Sequence, residues 1–231
     1  MIPVSQYERE PNIPSAATFW FPAEEDIPDD EGIGYFRDVW LILNEPEEET
    51  RRVLFAESRL MAIVDHLATS QDEYEIMVTM IEKEDPANMP LGELRDQMQH
   101  KIPEVFEHSE DAPSPLNFLE LGVAGLSYAL STIGAVPVAS CRGHLSGWSD
   151  RPVVYVALDQ QRAEWLQPLV YRTGCGFHVG LNREEFLAID APSIRETHKL
   201  AESILGLFDS NIEQFDKWID LSVIDSRYDE K

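Results

Sequence analysis

From Leu116 to Phe208 the chain alternates segments of helical spacing with short strand-like runs, in the order helix, strand, strand, helix, strand, strand, helix. The spans are a helix over 116–133, strands over 136–141 and 153–158, a helix over 160–173, strands over 175–180 and 185–190, and a helix over 193–208. Strands joined by short connections pair as hairpins, whereas parallel neighbours need a long crossover. The order therefore predicts an α+β fold whose C-terminal half is a four-stranded, largely antiparallel sheet with helices on one face. Pro137 cannot donate to a ladder, so strand 136–141 lies at an edge or begins after the proline. Pro168 should kink or split helix 160–173.

The N-terminal half reads as mainly helical. Asn44 and Glu45-Pro46-Glu47 supply a cap, an early proline and first-turn acids for a helix running to about Ala68, with Val53, Leu54, Met61, Val64 and Leu67 as its buried stripe. Tyr74, Met77, Met80 and Ile81 repeat the spacing, as do Leu91, Leu94, Met98 and Ile102 before Pro103. Phe36–Leu43 has the content of a short strand, and the last helix is expected over 211–219. Prolines and acids make 1–35 an irregular acidic arm, and the stretch 107–115 reads as a linker. Three regions follow: the arm 1–35, a helical acidic region 36–112, and an α+β domain 113–231. Within the arm, Phe19, Trp20 and Phe21 must cover some surface, of the body or of a partner, and are the partner-binding candidates.

Net charge is −25 and most of the acidic excess falls before residue 112. Such a chain repels phosphate backbones and anionic lipid heads, so direct nucleic-acid binding is not expected and a protein partner, if docked electrostatically, is basic. The same acids equally serve as a solvated surface. Met1–Pro14 mixes charges with prolines and does not read as a secretory leader. The apolar run Leu116–Val138 is broken by polar residues, Glu120 among them, and reads as a core segment, not a membrane span. Two cysteines make no disulfide framework, and a reducing cytoplasm is the expected compartment.

Both cysteines are followed three residues later by a histidine, as Cys141-Arg-Gly-His144 and Cys175-Gly-Phe-His178. Two thiolates and two imidazoles satisfy tetrahedral zinc, provided a turn at Gly174 or Gly176 brings Cys175 and His178 to one side, since residues three apart on a strand face opposite ways. A second reading makes the loop a small-ligand site: Ser140 offers a hydroxyl, Arg142 and Arg151 planar forks for an anion, His144 a titratable donor and Trp148 a stacking surface. Equally, the two arginines pair with surrounding acids. Nucleophilic catalysis by Cys141 with His144 lacks an orienting carboxylate and an oxyanion site, so no complete catalytic constellation is visible. Gly122 and Gly125 lie in a helical pattern with no strand leading in, and mark a close helix–sheet contact, not a dinucleotide site.

The stretch Leu119–Gly180, with its helix Leu121–Ile133, the run ASCRGHLSGWSDRPVVYVALD and the later GCGFH, resembles uncharacterised bacterial and phage-associated proteins carrying a Ser-Cys-x-Gly-His element. More distantly, Ser-Cys-x-Gly is similar to an element of the methyltransferase family that finishes wybutosine in transfer RNA, where the position after the glycine is usually Arg and here is His144. The likeness covers about a quarter of the chain. Taken together, acidity, a helical acidic half, the aromatic arm and the lack of a complete catalytic constellation imply a noncatalytic accessory or interaction subunit of a prokaryotic intracellular complex, in anti-phage defence or toxin neutralisation. The alternative is a small-ligand or zinc-binding enzymatic domain built on the Ser140–His144 loop.

Overall fold

A computed structural model describes residues 1–19, 47–83, 92–103, 114–144, 149–180 and 186–208. The expected strand 36–43, Trp20, Phe21, Trp148, most of the linker and the helix 211–219 lie outside the described residues. Three helices come first: α1 (Glu47–Leu67), α2 (Gln71–Lys83) and α3 (Glu93–Lys101). There follow α4 (Ala124–Thr132), β1 (Val136–Cys141), β2 (Val153–Ala157), α5 (Gln160–Thr173), β3 (Gly176–Val179), β4 (Leu187–Asp190) and α6 (Ile194–Phe208). The described residues thus have the expected α+β architecture, and every strand pairing is antiparallel, in the order β1-β2-β4-β3. No described helix is long and apolar enough to cross a membrane.

Pro137 has the consequence expected of it. β1 is an edge strand, and its register with β2 shifts between Pro137 and Ala139, where the missing N–H interrupts the ladder. Pro168, by contrast, neither ends nor splits α5, which runs through it from the Asp159 cap to Gly174 in the left-handed region. Pro168 and Glu164 both face solvent, so water can take the carbonyl that the proline leaves without a donor.

The expected helix 116–133 is shorter at its start. Residues 114–123 form turns in which Asn117 (φ 50°), Phe118 (φ 62°) and Gly122 (φ 89°) are left-handed, a conformation no α-helix can contain. From Ala124 to Leu130 every residue of α4 is buried, as suits a helix apolar all round. It serves two cores. Leu126, Ala129 and Leu130 join Val154, Val156, Leu187, Ile189 and Phe177 of the sheet and the apolar faces of α5 and α6. Ala124 and Tyr128 join Val53, Leu60, Val64, Met77, Ile81 and Met98 of the first three helices and Ile102 just after α3.

Residues 1–19 run irregularly along the body. The Met1 amino group donates to the carbonyls of Asp65 and Ala68 at the end of α1, and Ser5 N donates to Pro192 O at 2.8 Å. Further on, Phe177 N of β3 donates to Glu10 O at 2.6 Å, and Phe19 packs against the sheet core. Phe19 is therefore partly covered by the protein's own body.

Candidate functional site

Cys141 closes β1, and its side chain is buried. Gly143 (φ 86°) then turns the chain so tightly that a Cβ there would lie 2.7 Å from the backbone of Arg151, which restricts the position to glycine. The turn carries His144 back toward the 114–123 segment, pinned by His144 N donating to Ser149 O at 2.9 Å. Glu120 meets it there. One oxygen, Oε1, lies 3.1 Å from His144 Nε2, while Oε2 accepts the backbone N–H of Arg142 at 2.7 Å. The Glu120, Cys141 and His144 ligand atoms all lie within 4.8 Å of one another, so the three can hold a metal ion. Burial pushes the Cys141 thiol up to about 11, Glu120 adding to the rise and the Gly143 N–H and Arg142 opposing it. Without a metal it is a poor nucleophile at neutral pH.

Arg142 points away from this cluster into the helical half. Its side chain is 1% exposed, Nε donates to Glu82 Oε1 and Nη2 to Glu75 Oε2, both at 2.8 Å, and the guanidinium lies 5.8 Å from the Tyr74 ring centre. Burial works against its charge, but Glu75 and Glu82 outweigh that and hold its pKa above the ordinary value. Arg151 is similarly engaged: Nε donates to the buried Asp190 at 2.8 Å, Nη1 to Asp150 at 3.0 Å, and the guanidinium stacks 4.2 Å over the Tyr7 ring, whose hydroxyl also donates to Asp190. Both arginines thus pair with acids, the plainer of the two readings open to the sequence. Ser140 is half-buried opposite Val154.

The strand order separates the two Cys/His pairs. Cys141 pairs with Val153, Val153 with Asp190, and Asp190 with Gly176, so Cys175, the residue before β3, lies at the far edge of the sheet, with Gly176 three strand spacings or about 14 Å from Cys141. Cys175 is buried, its Sγ donates to Glu196 O at 3.4 Å, and burial pushes it up to about 12. His178 stands edge-on to Tyr155 with Nδ1 2.9 Å from Val179 O. Neither belongs to the metal-ligand cluster. The structure replaces them with Glu120, which in the sequence showed only as the acid interrupting an apolar run.

A second polar group sits between α1, α4 and α6. Glu57 is 0% exposed; Oε1 accepts the N–H groups of Gly122 (2.9 Å) and Gly125 (3.1 Å), and Oε2 lies 2.6 Å from His198 Nδ1. A Cβ at Gly122 would overlap Ile194, and one at Gly125 would overlap the Glu57 carboxylate. The close contacts of these glycines are therefore with α6 and α1, not with the sheet. His198 is buried, its Nε2 without a hydrogen-bond partner and 3.7 Å from Glu202. Burial disfavours its charge, yet the hydrogen bond and charge of Glu57, helped by Glu202, raise its pKa overall.

The third feature is the turn presenting Phe118, which is 79% exposed. Asn117 Nδ2 donates to Glu49 and to the Tyr128 hydroxyl, Arg52 donates to Asn117 Oδ1 at 2.7 Å, and Phe118 N donates to Ser114 Oγ at 3.2 Å. Phe55, one turn beyond Arg52 on α1, is 74% exposed. No protein-family model, curated protein or solved structure matches this chain.

Proposed function

We propose that this protein is a noncatalytic accessory or interaction subunit of a prokaryotic intracellular complex, with anti-phage defence or toxin neutralisation as its setting. The observation that carries the reading is Phe118. A left-handed backbone costs an L-residue about 1–2 kcal/mol, and a bulky aromatic gains nothing in return from standing in water. Here a network of side-chain hydrogen bonds from Glu49, Arg52, Ser114 and Tyr128 fixes the turn in that conformation and holds the ring outward. Strain maintained at an exposed aromatic is the pattern of a binding anchor. The first turn of α1, with Glu47, Glu48 and Glu49, adjoins it, so the partner's surface is basic with an apolar recess.

Phe118→Gly separates binding from folding. The substitution relieves the strain, so the unfolding midpoint should hold or rise, while stoichiometric recovery of the partner with the full-length chain from native cells should fall at least tenfold. Undiminished recovery by Phe118→Gly and by Phe55→Ala would overturn the reading. A second reading, a small-ligand or enzymatic domain using zinc at the Ser140–His144 loop, is favoured by the convergence of Glu120, Cys141 and His144.

A further inference from the structure

We infer that Glu120, Cys141 and His144 form a single zinc site with three protein ligands and one open position. The inference is independent of partner docking and gives the second reading its ligand set. Thiolate, imidazole and carboxylate together suit a borderline ion, and zinc accepts all three. Tetrahedral zinc holds such ligand atoms roughly 3.3–3.6 Å apart. Glu120 Oε1 and His144 Nε2 stand at 3.1 Å, and no ligand atom of the three is more than 4.8 Å from another. Closing the set therefore asks for side-chain movements of about 1.5 Å at most.

Each ligand is held from a different direction. Cys141 sits on β1, His144 on a loop whose turn admits only glycine at 143, and Glu120 on a turn oriented by the Arg142 N–H to its second oxygen. That last contact is the outer hydrogen bond expected of a ligating carboxylate, and it leaves Oε1 free to turn to a metal. Beneath the loop, Arg142 is fixed by Glu75 and Glu82, so the segment carrying two of the ligands has little freedom to spread. In the metal-free state Glu120 accepts from the imidazole. Zinc entering between them bonds to Sγ, Nε2 and Oε1: the thiol proton leaves to solvent, the neutral imidazole carries its proton on Nδ1 instead of Nε2, and water takes the fourth position. The intervening residues Leu145, Ser146, Gly147 and Trp148 offer no further ligand of ordinary zinc type.

Equilibrium dialysis of the full-length protein against zinc should give about one ion per chain. Cobalt in its place should give a thiolate-to-metal charge-transfer band. Cys141→Ser, His144→Gln and Glu120→Gln should each weaken zinc by more than the roughly 10–100-fold that changes behind the ligands produce, whereas Cys175→Ser and His178→Gln should leave it unchanged. The inference is overturned by substoichiometric zinc, by a cobalt complex lacking the thiolate band, or by loss of zinc on altering Cys175. The cobalt spectrum needs no variant, so a poorly folding substitution does not decide the result. Partner recovery by metal-free protein reports separately on the interaction reading.

Discussion

At the scale of single residues, Glu57 shows how one side chain can be committed to three others. Its two oxygens take two backbone N–H groups of the α4 entry and the imidazole of α6, which ties together three segments distant in sequence. Removing one member of such a buried pair leaves its partners desolvated and unmatched, so Glu57→Ala should cost about 3–5 kcal/mol. Glu57→Gln, which keeps an acceptor for the glycine N–H groups, should cost less; urea denaturation measures both. The residue was visible in the sequence as a charge on the apolar stripe of α1, between Val53-Leu54 and Met61. His198 gave the same signal on α6, among Ile194, Ala201 and Leu205. Cys141 and His144 were legible as candidate ligands because they are neighbours in sequence. Glu120 was not, because only the fold brings it to them.

Among elements, strands β1 to β4 and helices α5 and α6 follow from periodicity and turn residues alone, since each repeats its pattern over a whole element. The sheet's order does not, because hairpins can be laid side by side in more than one way, and that order is what parts Cys175 from Cys141. The start of α4 was misread for a local reason: Leu116–Leu121 has helical composition, yet side-chain bonds from Arg52 and Glu49 hold Asn117 and Phe118 left-handed. Glycines in these elements divide sharply. Gly122 is left-handed and meets Ile194, so Gly122→Ala should cost at least about 1–3 kcal/mol from backbone strain before the overlap is counted. Gly206 is exposed on α6 with open space around it, and Gly206→Ala should stabilise by about 0.4–1 kcal/mol. Thermal unfolding of the two variants beside wild type checks the opposite signs.

Over the whole molecule, α4 fuses two cores, so the helical and sheet regions share one buried element. Acidity then sets the response to pH. Burial, with Glu120 close by, raises Glu82 from the ordinary 4.5 to about 7 against the pull of Arg142 and Leu121 N–H. Its contribution is fully present below 4.5 and lost as pH rises through 7. His198, raised above its ordinary 6.5, likewise contributes below that value and loses its contribution at higher pH. Asp65, lowered chiefly by Arg195, and Glu49, lowered chiefly by Arg52, act oppositely and lose their contributions only as pH falls below the ordinary carboxylate range. Stability should therefore peak in mildly acid solution and decline through about pH 8, where the net charge of −25 adds self-repulsion. Melting midpoints across that range at fixed ionic strength test this; Glu82→Gln should flatten the decline, and a peak at or above about pH 8 would contradict it.

Glu10 has a role in this that its small contact does not suggest. A sheet with free margins offers its unpaired N–H and C=O groups to any extended chain, including another copy of itself. One margin of this sheet is spoiled by Pro137 and the irregularity beside it. The other is occupied by the Glu10 carbonyl on Phe177. The N-terminal segment is thus a guard as well as a strap: stripped of it, the β3 margin would lose this cover, and the hazard would be self-association through added strands before any loss of the fold.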